Sequence, residues 1–181
     1  VGLIALLYNF GFFTLLAYAP FLLTGYTEMQ VGFIFFGWGV LLAISSIFVA
    51  PFLERKYTTY RTIMTAFVFF TFCLILLGLG TSIPILVPIS IVLAGFFQGI
   101  INTLLTTIAM EIPGLERNVA SSSYSFVRFF GGALAPFIAG KIGEIFDEKY
   151  SFYFAAIIVL LSLGFIVYHR QYFVTEEGNQ K

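Results

Sequence analysis

The chain has 181 residues, of which 60% are hydrophobic and only 10% charged, with nine basic and nine acidic side chains and a net charge of zero. A soluble globule has about a quarter of its residues charged, so there is too little polar surface here to face water, and composition places the chain in a bilayer. The 24 phenylalanines are spread through the apolar runs rather than interleaved with Lys and Arg, which excludes a basic, aromatic nucleic-acid interface.

A bilayer core of about 30 Å needs about 20 apolar residues per helix. Six stretches have that length: 1–23, 31–53, 60–80, 83–110, 119–142 and 151–170. They predict an all-α bundle of six transmembrane helices over residues 1–172, followed by a polar tail at 173–181. Runs such as "VFFTFCLILLGLG" are continuous, whereas membrane β-strands alternate in polarity over about 10 residues. The intervening "TGYTEMQ", "ERKYTTYR", "GTSIP", "PGLERN" and "EIFDEKYS" are short and leave no room for an inserted domain. The chain opens inside an apolar run, with no Met and no basic leader. That run exceeds the ~7 to 15 residues of a signal-peptide core, so the chain is expected to be the back part of a longer protein. The lone Cys73 lies mid-span without a partner cysteine and reads as packing. No motif calls for a metal or cofactor.

Polar residues inside spans are costly in hydrocarbon and therefore informative. In the first span Tyr8, Asn9, Thr14 and Tyr18 precede Pro20. Asn9 needs a partner there, either another helix or a ligand. Ser45, Ser46, Thr65 and Thr71 can return their hydroxyls to their own helix backbones and receive no role. In the fourth span Gln98, Asn102 and Thr106 repeat at i, i+4, i+8, with Thr103, Thr107 and Glu111 one residue over, beside a Gly95/Gly99 pair. Two adjoining polar rows serve either helix association or the lining of a water-filled path. In the fifth span Gly131, Ala135, Ala139 and Gly143 form an i, i+4 seam of small residues, with Gly132, Gly140 and the bend-prone Pro136 around it. Tyr124 and Arg128 stand earlier in that span. His169, beside Arg170, reads as interfacial.

Lys and Arg set orientation. Arg55, Lys56, Arg61, Arg117, Arg170 and Lys181 fall on one side, against Lys141 and Lys149 diluted by acids on the other. Both ends of this segment are therefore expected in the cytoplasm, in the plasma membrane. Tyr26, Tyr57, Tyr60, Tyr150, Tyr153, Tyr168 and Tyr172 fall at span ends, where amphipathic rings prefer the headgroup layer.

Several segments together resemble the C-terminal half of a major facilitator superfamily transporter, over essentially the whole chain. "APFLERKYTTYR" looks like a degenerate copy of the family's cytoplasmic loop motif, with Ala50 at the glycine position, Glu54 at the acidic one, Arg55 and Arg61 at basic ones, and Tyr57 replacing a glycine. "GFFQG" resembles the R-x-x-Q-G motif, with Gln98 and Gly99 matching and Gly95 where the proton-linked arginine would stand. "GGALAPFIAG" is similar to the antiporter motif G-P-x-x-G-G, with Ala135-Pro136 and Ala139-Gly140 in its two pairs. The longer stretch from Glu116 to Gly140 resembles the loop and eleventh helix of bacterial drug:proton antiporters.

The resemblance implies two inverted three-helix repeats, a pseudo-symmetric N-terminal half elsewhere in the protein, and substrate binding between the halves by alternating access. The function expected is proton-coupled efflux of small hydrophobic or cationic compounds, with Asn9, Tyr18, Gln98, Asn102, Thr106 and Tyr124 as cavity candidates. Uptake of sugars or other metabolites is the nearest alternative, and a non-transporting adaptor with the same fold is another. An intramembrane enzyme lacks its residues, since the one His is terminal and the one Asp, Asp147, is in a loop. Glu111 is the one intramembrane carboxylate, and Pro113 follows it closely, so the proton-coupling residues are expected in the other half. Arg128 and Glu111 are expected to form an ion pair, either one that breaks as the bundle rocks or a static one. A lipid-phosphate contact or a direct cavity role for Arg128 are the other readings.

Overall fold

The computed structural model describes residues 1–80, 82–111, 114 and 116–170. Tyr172, Lys181, the tail 173–181 and Pro113 lie outside the described residues. Among the described residues six long helices alternate in direction: α1 Gly2–Leu22, α2 Glu28–Lys56, α3 Thr59–Leu79, α4 Leu86–Met110, α5 Arg117–Ile145 and α6 Glu148–Tyr168. Among the described residues there is no strand.

Helix limits follow capping chemistry rather than apolarity alone. α2 starts at Glu28, ahead of the apolar run, because Thr27 and Gln30 form a reciprocal capping box. Thr58 caps α3 by accepting from the Arg61 N–H, and Asp147 caps α6 by accepting from the Lys149 N–H. α1 tightens into a 3₁₀ turn at Ala19–Leu22, where Pro20 stands. α2 widens into a π-turn at Ser45–Val49, with the Ala50 N–H reaching back to the Ser45 carbonyl. Pro51 follows at once. Its ring would strike a carbonyl in a regular helix, and the wider turn gives it room. α5 runs unbroken through Pro136.

The packing has an internal symmetry. α1 packs chiefly on α5 and α6, α4 packs chiefly on α2 and α3, and α3 packs on α6. Exchanging α1 with α4, α2 with α5 and α3 with α6 returns the same set of pairings. Because each repeat holds an odd number of helices, the second enters the membrane from the opposite side, which makes the repeats inverted.

Both interlocked pairs use missing side chains. On α4, a Cβ at Gly95 or Gly99 would collide with the α2 backbone at Trp38 and Leu42. On α5, a Cβ at Gly131 would collide with the Leu6 carbonyl of α1, and one at Gly132 with the Phe13 ring. Ala135 and Ala139 continue that seam fully buried. In a bilayer, where lipid tails are as apolar as leucine, such close backbone approach is a main source of helix association. The core then fills with Tyr8, Phe67, Phe70, Leu74, Ile101, Leu104 and Phe152, all fully buried.

Burial is uneven. From Glu28 to Ile44 α2 buries no residue, and α5 buries only Ala120, Tyr124, Gly131, Gly132, Ala135 and Ala139. α1, α3, α4 and α6 are about half buried over their apolar windows.

Candidate functional site

The polar row on α4 divides into two environments. Gln98 is fully buried at the junction of α1, α2 and α4. Its Oε1 accepts from the Trp38 indole N–H at 2.7 Å, and its backbone carbonyl accepts from the Tyr8 hydroxyl at 3.2 Å. Its Nε2 has no partner among the described residues. At the next residue the Ser46 hydroxyl donates to the Gly99 carbonyl at 3.2 Å, and a turn later Thr103 Oγ1 donates to the Gly99 and Ser46 carbonyls at 3.0 and 3.4 Å. Ser46, expected to serve its own helix, therefore crosses to α4. The π-turn that begins at Ser45 turns this stretch of α2 toward the Gly99 backbone, which lacks a side chain to keep it away.

Asn102 and Thr106 open instead into a cleft of about 680 Å³. It is lined by Asn102, Thr103, Thr106, Thr107, Met110 and Glu111 of α4 with its flanking residue, and by Arg117 at the start of α5. The volume is in the range of small-molecule sites. Its walls mix amide, hydroxyl and thioether groups, with one carboxylate and one guanidinium at the rim.

The remaining candidates are spread out. Asn9 is buried, and its Nδ2 donates to the Ala5 carbonyl of its own helix at 2.8 Å, so neither another helix nor a ligand is needed to complete that bond. Tyr18 donates its hydroxyl to the Pro136 carbonyl at 2.7 Å, and so ties α1 to α5 at the end of the bundle away from the cleft. Tyr124 is buried on α5, with its hydroxyl directed at the Thr106 and Arg128 side chains. It lines a small cavity of about 170 Å³ with Gly2, Ala109, Ala120 and Val127.

Arg128 lies eleven residues beyond Arg117, about 16 Å along α5 at 1.5 Å per residue. Its guanidinium stacks 5.0 Å from the Phe129 ring centroid and 6.0 Å from that of Tyr124, and its Nε is buried without a partner among the described residues. The ion pair expected with Glu111 is not formed in this conformation: the ion pairs among the described residues are Lys141–Glu144 and Lys149–Asp147. Glu111 is instead exposed at the rim of the cleft. Aromatic faces take the place of a carboxylate beside the guanidinium.

In the loop after α2, Glu54 Oε1 accepts from the Thr59 hydroxyl at 3.2 Å, linking α2 to α3. Arg55 and Arg61 make no ion pair among the described residues. Sequence reasoning gave no role to Trp38, Tyr8 or Ser46. The available signals were the chain's single tryptophan and its spacing, since Trp38 and Leu42 stand at i, i+4 opposite Gly95 and Gly99 at i, i+4.

The sequence profile of the Major Facilitator Superfamily matches residues 1–180. The chain is 43% identical over 168 residues to the multidrug efflux protein YfmO of Bacillus subtilis (strain 168), an alignment that covers 93% of this chain and 42% of that protein. Among solved structures it is similar to a peptide transporter POT E310Q mutant in complex with sulfate, with a TM-score of 0.79 at 17% identity over 96% of this chain and 37% of that one. A second structure of that mutant, in complex with alafosfalin, aligns with a TM-score of 0.79 at 19% identity over 95% of this chain and 38% of that one. The chain thus spans less than half the length of these relatives.

Proposed function

The chain belongs to the Major Facilitator Superfamily, and from that premise we propose that it forms one half of a secondary transporter that exports small hydrophobic or cationic compounds by alternating access, driven by protons. The observation that carries this reading is the cleft at one end of α4. Three turns of polar side chains open into a volume of about 680 Å³ with no charge deeper than the rim residues Glu111 and Arg117. Such a wall suits ligands held by surface contact and desolvation rather than by one fixed counter-ion.

The second support is the sparse burial of α2 and α5, which leaves apolar faces for a second bundle to cover. In this reading that bundle is the N-terminal half of the same protein and supplies the proton-coupling carboxylate. The two halves rock against each other, and the glycine seams hold the helices of this half together as they do so. Arg128 and Glu111 act as a gate at the cleft end, open here and paired in the opposite state. The excess of Lys and Arg at the end carrying Arg55, Lys56, Arg61, Arg117 and Arg170 supports a cytoplasmic position for both ends of the segment.

Hydrophobic or cationic compounds rather than hydroxylated metabolites are favoured as substrates by the fate of Gln98. Its carbonyl oxygen is committed to Trp38, which leaves Asn102 as the one amide in the cleft. The reading is tested by substituting Asn102→Leu and Thr106→Val in the full protein. Both variants should express normally and change the rank order of exported compounds, whereas unchanged export of every compound would remove the cleft from the transport path.

A further inference from the structure

A second cavity, of about 440 Å³, lies on the far side of α4, between that helix, α3 and the end of α2. Its inner wall is apolar, with Phe69 of α3 and Phe97 of α4 stacked at 5.1 Å and Phe96 edge-on to Phe97. Its outer end is cationic. Arg61 lines it and makes no ion pair among the described residues, while Arg55 and Lys56 end the adjoining helix between the lining residues Leu53 and Tyr57. The one carboxylate in this turn, Glu54, is engaged by Thr59.

Thr62 supplies the independent observation. It lines the same cavity and is 6% exposed, yet its hydroxyl has no partner among the described residues. Thr65 and Thr71 on the same helix return their hydroxyls to the Arg61 and Phe67 carbonyls at 2.8 and 2.9 Å. Thr62 has the same option and does not use it. A buried hydroxyl left unpaired is unfavourable until something in the cavity accepts from it.

We propose that this groove binds the phosphate of an anionic phospholipid from the surrounding membrane. Arg61 and Thr62 donate to the phosphate oxygens, and an acyl chain lies along Phe69, Phe96 and Phe97. The shape favours a lipid over a free anion, because the cationic end continues into an aromatic wall that an inorganic ion would leave empty. The surroundings agree. Ile100, which lines the groove, stands about 160° around α4 from Asn102, and the neighbouring Phe48, Phe52, Val68 and Phe72 are exposed as lipid-facing residues are. Basic pockets between helices at a membrane surface are the usual form of headgroup recognition.

The experiment is native mass spectrometry of the full protein in detergent, titrated separately with phosphatidylglycerol, phosphatidylcholine and inorganic phosphate. Phosphatidylglycerol should bind in preference to phosphatidylcholine. R61Q should weaken it about fivefold, the effect of one basic group at the headgroup level. T62V should weaken it further, and R61K should retain most of it and so guard against misfolding. R117Q, at the cleft rim, should leave it unchanged. Equal binding to R61Q and the parent, equal loss in R117Q, or displacement of the lipid by millimolar inorganic phosphate would each overturn the proposal.

Discussion

The indole N–H of Trp38 on α2 donates to the side-chain oxygen of Gln98 on α4 at 2.7 Å. This bond joins the second helix of one repeat to the first helix of the other at the level where Gly95 and Gly99 let the two backbones meet. The geometry makes Gln98 a keystone of the bundle, inward of the Asn102 cleft.

Removing either partner leaves the other buried or half-buried without its bond, at a cost of about 1 to 3 kcal/mol. Gln98→Leu and Trp38→Phe should therefore each lower the midpoint of thermal unfolding of the full protein in detergent. The double variant should be less destabilised than the sum of the two, with a coupling of about 0.5 to 2 kcal/mol. Strict additivity would show that the bond contributes nothing.

The glycine seams make a contrast between positions of like composition. Gly131→Ala places a methyl against the Leu6 carbonyl of α1, and overpacking of this kind costs about 1 to 3 kcal/mol. At Gly164 on α6 nothing lies within 4 Å of an added methyl, so Gly164→Ala should stay within about 0.5 kcal/mol of the parent. Thermal unfolding of the two variants side by side checks the difference. Equal behaviour would remove the seam from the packing account.

The proposed gate has a charge-reversal test. Glu111→Arg and Arg128→Glu should each lower transport at least tenfold, and the double reversal should restore a substantial part of it. Expression and folding are controlled by size-exclusion profiles. Failure of the double variant to recover would leave Arg128 with a direct role in the cavity, beside Tyr124 and Phe129.

The six helices were legible in the sequence because bilayer thickness imposes a length on each apolar run, as with "VFFTFCLILLGLG" in α3. The small-residue rows around Gly95 and Gly131 were legible for a related reason: close approach needs residues without bulk at helical spacing. The site was legible in part. The period of α4 put Gln98, Asn102 and Thr106 on one face, but period alone does not say how far α2 extends along that face. In the structure α2 covers Gln98 through Trp38 and leaves Asn102 and Thr106 open. Asn9 and Ser46 illustrate a second limit. Whether a polar side chain bonds its own helix or a neighbour depends on local backbone widening, and the Asn9 amide turned inward to Ala5 while the Ser46 hydroxyl crossed over beside a π-turn. Whether Arg128 meets Glu111 in a given state was not legible, because a short connection between two helices does not fix which way each side chain turns; in this conformation the guanidinium lies by the rings of Tyr124 and Phe129.

The central claim is tested most directly by reconstituting the purified full protein in vesicles and measuring, together, movement of a fluorescent lipophilic cation and of protons. The account predicts cation movement driven by an imposed pH gradient, matched by substrate-dependent proton flux, abolished by a protonophore and altered by Asn102→Leu. Well-folded protein that moves none of a broad panel of hydrophobic cations and neutral drugs under any gradient would contradict it.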